Sequence, residues 1–217
     1  MRNGTTMPTS TKVKVLIYGF EPWGDTPYNI SGELIKSKIL QEELVSIGLD
    51  LDVYDFAILP VRKNALREYM DLCGKRYSAF IGIGSSDKTS KVTIEKWFTN
   101  DFEGSPVIHT VSHKTPVPSN IAPEIGEFLH FGNGTSCGTF VCNASALIGF
   151  DLAEGESGFI HIPKQDDNSA IDILVVAVAR SIRAMKISRM IFYSDQNHFY
   201  LAPKIQKRPA LEASPSQ

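Results

Sequence analysis

The chain has 217 residues, 42% of them hydrophobic and 21% charged, proportions that fit one globular domain and exclude a disordered or fibrous protein. Its 22 basic and 24 acidic residues leave a net charge of -2 with no basic block, which argues against nucleic acid as a partner. No segment reaches the roughly 18 apolar residues of a spanning helix, and the opening MRNGTTMPTSTK lacks the apolar stretch of a signal peptide, so a cytoplasmic protein without a membrane partner is expected.

Residues 1–11 and 203–217 read as flexible tails around a single domain spanning 12–202. Within it, KVKVLIY (12–18) is a β-branched strand, and 29–44 carries apolar residues at helical spacing. LDVYDFAIL (51–59) predicts a strand, 62–73 an amphipathic helix, and SAFIGIG (78–84) a buried strand ending in glycine. Residues 91–96 alternate like a strand, 121–131 and 169–185 read as helices, and GFIHI (158–162) is a further strand. IFY, at 191–193, would add an edge strand. This β-α alternation predicts a three-layer α/β/α domain with a mostly parallel, doubly wound sheet, whose ligands bind beyond the carboxyl ends of the strands.

The residues after those strands are distinctive. Phe20 and Trp23 flank the turn in GFEPWG, where they either cap the core or clasp a small ligand. Cys142 follows the apolar run of GTFVCN and opens a potential helix, whose dipole favours a thiolate. Cys73 and Cys137 read as buried hydrophobes, and three cysteines without metal-ligand spacing predict neither a disulfide framework nor a metal site. His161, inside an apolar strand, is either a satisfied structural histidine or a base, and Glu95 is either solvated or its orienting partner. A Cys, a His and a carboxylate together suffice for nucleophilic catalysis. The Asn-x-Ser/Thr strings at Asn133 and Asn143 carry no weight in a cytoplasmic chain.

Taken together, GFEPWG with Asn29 following, LPV (59–61), the glycine strand end at 82–84, Glu95, GTFVCN (138–143) and GFIHIP (158–163) resemble pyroglutamyl peptidase I, also called pyrrolidone-carboxylate peptidase. The resemblance covers 12–185 and implies a cofactor-free cysteine peptidase that removes N-terminal pyroglutamate from peptides. Carried over residue by residue, it makes Cys142 the nucleophile, His161 the base and Glu95 the acid member. It also assigns Phe20, Trp23, Ser85, Phe140 and Val141 to substrate binding, and it allows a homo-oligomer. The chain departs from the family pattern at the loop 84–90, where Ser85 and Thr89 replace the usual glutamine and arginine, in the shorter stretch between Glu95 and Cys142, and beyond residue 186. These departures leave open a homologue acting on another small cyclic or N-blocked amide, or a silent binder of pyroglutamyl ligands.

Overall fold

The computed structural model describes residues 14–119, 132–133, 136–164 and 169–184. Its central sheet has the order β2-β1-β3-β8-β4-β7, with β1 at Val15–Phe20, β2 at Tyr54–Leu59, β3 at Ala79–Ser86, β4 at Thr93–Ile94, β7 at Gly132–Asn133 and β8 at Ser157–Pro163. The strands β2, β1, β3 and β8 run parallel, and β4 is antiparallel to β8. A separate antiparallel ribbon joins β5 (Trp97–Thr99) to β6 (Pro116–Pro118).

Side chains along each strand alternate between two cores. Val15, Ile17, Ile81, Ile83, Ile160 and Ile162 pack on one face with Ile35 of α1 (Ile30–Lys36), Leu40 and Leu44 of α2 (Ile39–Ser46), and Leu174 and Val178 of α5 (Ser169–Ala184). Leu16, Tyr18, Phe20, Phe80 and Phe159 pack on the other with Leu66 and Met70 of α3 (Lys63–Gly74) and Leu147 and Ile148 of α4 (Val141–Leu152). The result is the expected α/β/α sandwich. Among the described residues no helix is long and apolar enough to cross a membrane.

Several expectations need correction. The segment 29–44 forms two helices, not one, because Lys38 adopts a left-handed conformation (φ 61°) between them. Leu40 follows Ile35 by five residues, which in a continuous helix would turn it roughly 140° round the axis. The break re-aims it at the same core. The strand expected from 51 begins at Tyr54, since the Asp50 carboxylate accepts from Asp52 N–H and closes a turn over 50–53. Ser85 and Ser86 extend β3 rather than opening a loop at 84, while the strand expected over 91–96 shortens to Thr93–Ile94. The helix at 121–131, the edge strand at 191–193 and both tails lie outside the described residues.

The stretch from 100 to 115 has little regular structure of its own and is organised by one buried side chain. Asn100 donates to the carbonyls of Ile108 (2.9 Å) and Val111 (2.6 Å) and accepts from the N–H groups of Val107 (2.8 Å) and Ile108 (3.0 Å). Asn100→Ala strands those groups, each costing about 1–3 kcal/mol when left buried and unpaired. The expected result is a lower urea midpoint and faster hydrogen exchange at the Val107 and Ile108 amides than in the wild-type protein.

Candidate active site

His161 sits near the carboxyl end of β8, two residues after Phe159. The strand alternation therefore turns both toward the face that carries α4. Its imidazole Nδ1 lies 2.6 Å from Glu95 Oε1, and the two side chains are only 12% and 7% exposed. A carboxylate only accepts, so Nδ1 carries the hydrogen and donates it, leaving Nε2 as the ring's acceptor. Glu95 is held by its own backbone N–H, which donates to Phe159 O at 2.9 Å. The alternative of a solvated Glu95 is thus overturned: the residue is 5% exposed, because β4 lies against β8 and carries it inward.

Cys142 is the second residue of α4 and follows Phe140, whose extended backbone (φ -113°, ψ -164°) caps the helix. Its sulfur rests over β3 where that strand has no side chain: a Cβ at Gly84 would come within 3.0 Å of Cys142 Sγ and 2.8 Å of Phe159 Cζ. Gly84 is the β3 residue paired with His161. The GIG string at 82–84 therefore opens the floor on which sulfur, Phe159 ring and imidazole gather. Gly82 does the same beneath the Tyr18 hydroxyl, which a Cβ would approach to 2.7 Å.

Two opposing effects act on the thiol. Burial pushes the Cys142 pKa up to about 12, with the nearby Glu95 carboxylate adding to it, while a backbone N–H at the helix start pulls it down. Desolvation wins, so the resting group is a thiol rather than the thiolate that a helix start alone would favour. Among the described residues no cluster of His, Cys, Asp or Glu could hold a metal ion.

The remaining candidates separate into two groups. Phe20 is 2% exposed and packs its ring on Tyr18 (5.8 Å between centroids) and Phe159 (6.1 Å), so it takes the core role. Trp23 is 58% exposed and sets its indole edge-on to Phe140 at 5.2 Å. Phe140 in turn stacks on Phe102 at 5.8 Å and 14°. Val141 is buried in the core under α4. Ser85 donates to Asn29 Oδ1 at 3.4 Å, and the same oxygen accepts from the Ser31 hydroxyl (2.8 Å), which receives the Phe20 N–H (3.2 Å). This relay ties the end of β3 to the end of β1, the point where the strand order reverses.

Sequence reasoning missed Asn143, the residue after the cysteine. Wholly buried, it accepts from Thr99 N–H (2.8 Å) and donates to Thr99 O (2.7 Å) and Asp101 O (3.0 Å), fastening the 99–101 segment to the start of α4. Its only signal was a polar side chain inside an otherwise apolar string.

No family model matches the chain. The chain is 26% identical over 176 residues to the pyrrolidone-carboxylate peptidase of Thermococcus kodakarensis, a match covering 70% of this chain and 81% of that protein. Among solved structures, a mutant pyrrolidone carboxyl peptidase from Pyrococcus furiosus superposes with a TM-score of 0.59 at 19% identity, covering 82% of this chain and 100% of that one. The Thermus thermophilus pyrrolidone carboxyl peptidase gives 0.58 at 23% identity, over 79% and 100%. The chain has the pyrrolidone carboxyl peptidase fold. The sequence resemblance to the pyrrolidone carboxyl peptidases thus extends to the architecture, and the three residues that carry it converge on one end of the sheet.

The raised thiol predicts a pH profile. Because the pKa is shifted upward, the thiolate is scarce near neutrality and grows only as the pH climbs toward about 12. Iodoacetamide should therefore label Cys142 slowly at neutral pH and progressively faster in alkali, read by mass spectrometry of the peptide containing it. Gly84→Ala should press on Cys142 Sγ and Phe159, lowering the melting temperature by an overpacking cost of about 1–3 kcal/mol.

Proposed function

We propose that this protein is a cysteine exopeptidase that hydrolyses the amide bond after an N-terminal pyroglutamyl residue, with Cys142 as nucleophile, His161 as base and Glu95 as the group that orients it. The observation that carries this reading is the 2.6 Å contact between His161 Nδ1 and Glu95 Oε1, made beside the strand position over which Cys142 Sγ rests. The relatedness to pyrrolidone carboxyl peptidases supplies the substrate class.

In this mechanism the thiol does not ionise in advance. As the sulfur attacks the pyroglutamyl carbonyl, its proton passes to His161 Nε2, and the buried Glu95 carboxylate stabilises the imidazolium that forms. The tetrahedral oxyanion takes the backbone N–H of Cys142, which is free of a helical partner because it lies in the first turn of α4. The imidazolium then protonates the departing amine, the C–N bond breaks, and a thioester remains. Water gives a proton to Nε2, attacks the thioester, and releases pyroglutamate with the thiol restored. The uncharged lactam suits an apolar site, whereas an ordinary charged N-terminus would lose hydration there without gaining a partner. The substrate is a small blocked peptide, met in the cytoplasm and without any cofactor.

A second reading rests on a specific observation. Phe20 packs into the core, and Ser85 is bonded to Asn29, so of the two aromatic residues in GFEPWG only Trp23 is left exposed to wall a lactam. A homologue acting on another small cyclic or N-blocked amide fits that wall too.

Release of a fluorophore from a pyroglutamyl amide tests the proposal. Cys142→Ser and His161→Ala should each lose about a thousandfold or more in kcat/KM, and Glu95→Gln about a hundredfold or more. Full activity in Cys142→Ser would discard the mechanism. Greater turnover of a different blocked amide by the wild-type protein would favour the second reading.

A further inference from the structure

Beside the site lies a cleft of about 490 Å³ lined by Arg62, Lys63, Phe102, Glu103 and Ser105. It is connected to the nucleophile by aromatic stacking. Phe140, two residues before Cys142, has Trp23 against it at 5.2 Å and Phe102 at 5.8 Å, and Lys63 Nζ stands 4.9 Å from the centre of the Phe102 ring. The far wall is a tight hairpin. Phe102 and Ser105 exchange two backbone hydrogen bonds, Glu103 and Gly104 at its tip both have positive φ (49° and 84°), and the Asp101 carboxylate accepts from Gly104 N–H at 2.9 Å. Asn143 fixes this hairpin to the nucleophile helix through its bond to Asp101 O. The cleft and Cys142 are thus tied to each other through Phe102, Phe140 and Asn143.

The charges of the cleft do not cancel. Among the described residues Arg62 and Glu103 have no ion pair and Lys63 is engaged only with the Phe102 ring, so two cations face one carboxylate. Resting on the proposed peptidase reading, we propose that this cleft is the leaving-side subsite and that it selects peptides carrying a carboxylate shortly after pyroglutamate. With the lactam on the Trp23 side of Phe140, the rest of the peptide crosses Phe140 toward Phe102. The distances involved correspond to about three residues of extended chain. The carboxylate is either an acidic side chain or the C-terminus of a short peptide. Both present the same pair of oxygens to the Arg62 fork and the Lys63 ammonium.

The test compares kcat/KM for pyroglutamyl-Ala-Glu-amide, pyroglutamyl-Ala-Gln-amide and pyroglutamyl-Ala-Gln with a free C-terminus. The first arm reports a side-chain carboxylate and the third a terminal one. Wild type should favour at least one of them over the neutral amide by about three- to tenfold, the ratio that two partly exposed charge contacts supply, and added salt should shrink it. In Arg62→Ala/Lys63→Ala the ratio should fall to about one, and in Arg62→Glu/Lys63→Glu it should invert in favour of pyroglutamyl-Ala-Lys-amide. Equal rates on all three peptides in wild type, or a preference that survives both double variants, would overturn the subsite while leaving the peptidase reading intact. Absence of release from every pyroglutamyl substrate would instead overturn the peptidase reading, and the subsite with it.

Discussion

The two-residue alternation along β8 is the constraint on which the site depends. Ile160 and Ile162 must enter the core beneath α2 and α5, and they are fully or almost fully buried there. Their neighbours Phe159 and His161 are thereby committed to the opposite face, against α4. Slipping the strand by one residue would send the imidazole into an aliphatic core and an isoleucine toward the cysteine. The hydrophobic effect that fixes the register is therefore also what aims the imidazole. The site inherits its orientation from packing, and the Glu95 carboxylate only refines it.

A similar division of labour governs Cys142. The start of α4 offers a backbone N–H and the positive end of a dipole, both favouring negative charge on sulfur. Desolvation of the sulfur between the helix and the sheet opposes that charge more strongly. A thiol held neutral at rest is less exposed to stray oxidation than a standing thiolate. In the proposed mechanism the same desolvation would strengthen the hydrogen bonds that meet the developing oxyanion, so the feature that suppresses ionisation at rest would assist reaction.

How much of this was legible in the sequence depended on whether the signal was local. The β-branched run at Val15–Phe20 and the glycine-ended strand at Ala79–Ser86 declared themselves through composition, and GFIHIP placed His161 on its strand within a residue. The break at Lys38 was hidden because Ile35 and Ile39 keep a four-residue helical spacing across it, whereas it is Leu40, out of phase with Ile35 in a continuous helix, that reaches the core and Ile39 that is exposed. Glu95 looked solvated because its burial comes from β8, more than sixty residues away. Asn100 and Asn143 gave no sign of their roles, since a side-chain amide becomes a fastener only once the backbone groups it binds have been brought to it. Phe20 was readable as aromatic and as lying after a strand, but its choice between core and ligand was made by Phe159, which the local pattern does not contain.

The fastening of Asn143 also bears on what the chain can carry at that position. Asn143-Ala144-Ser145 is an acceptor pattern for N-linked sugar, and attachment replaces one hydrogen of the side-chain nitrogen. Here both of those hydrogens are spent on Thr99 O and Asp101 O, in a place with no solvent exposure at all. A sugar joined to the unfolded chain would have nowhere to go: the loop could not close on α4 and the hairpin at 102–105 would lose its anchor. This architecture and a sugar on Asn143 are therefore incompatible: the pattern is an acceptor in name, and the fold is complete only while that single interior amide stays bare.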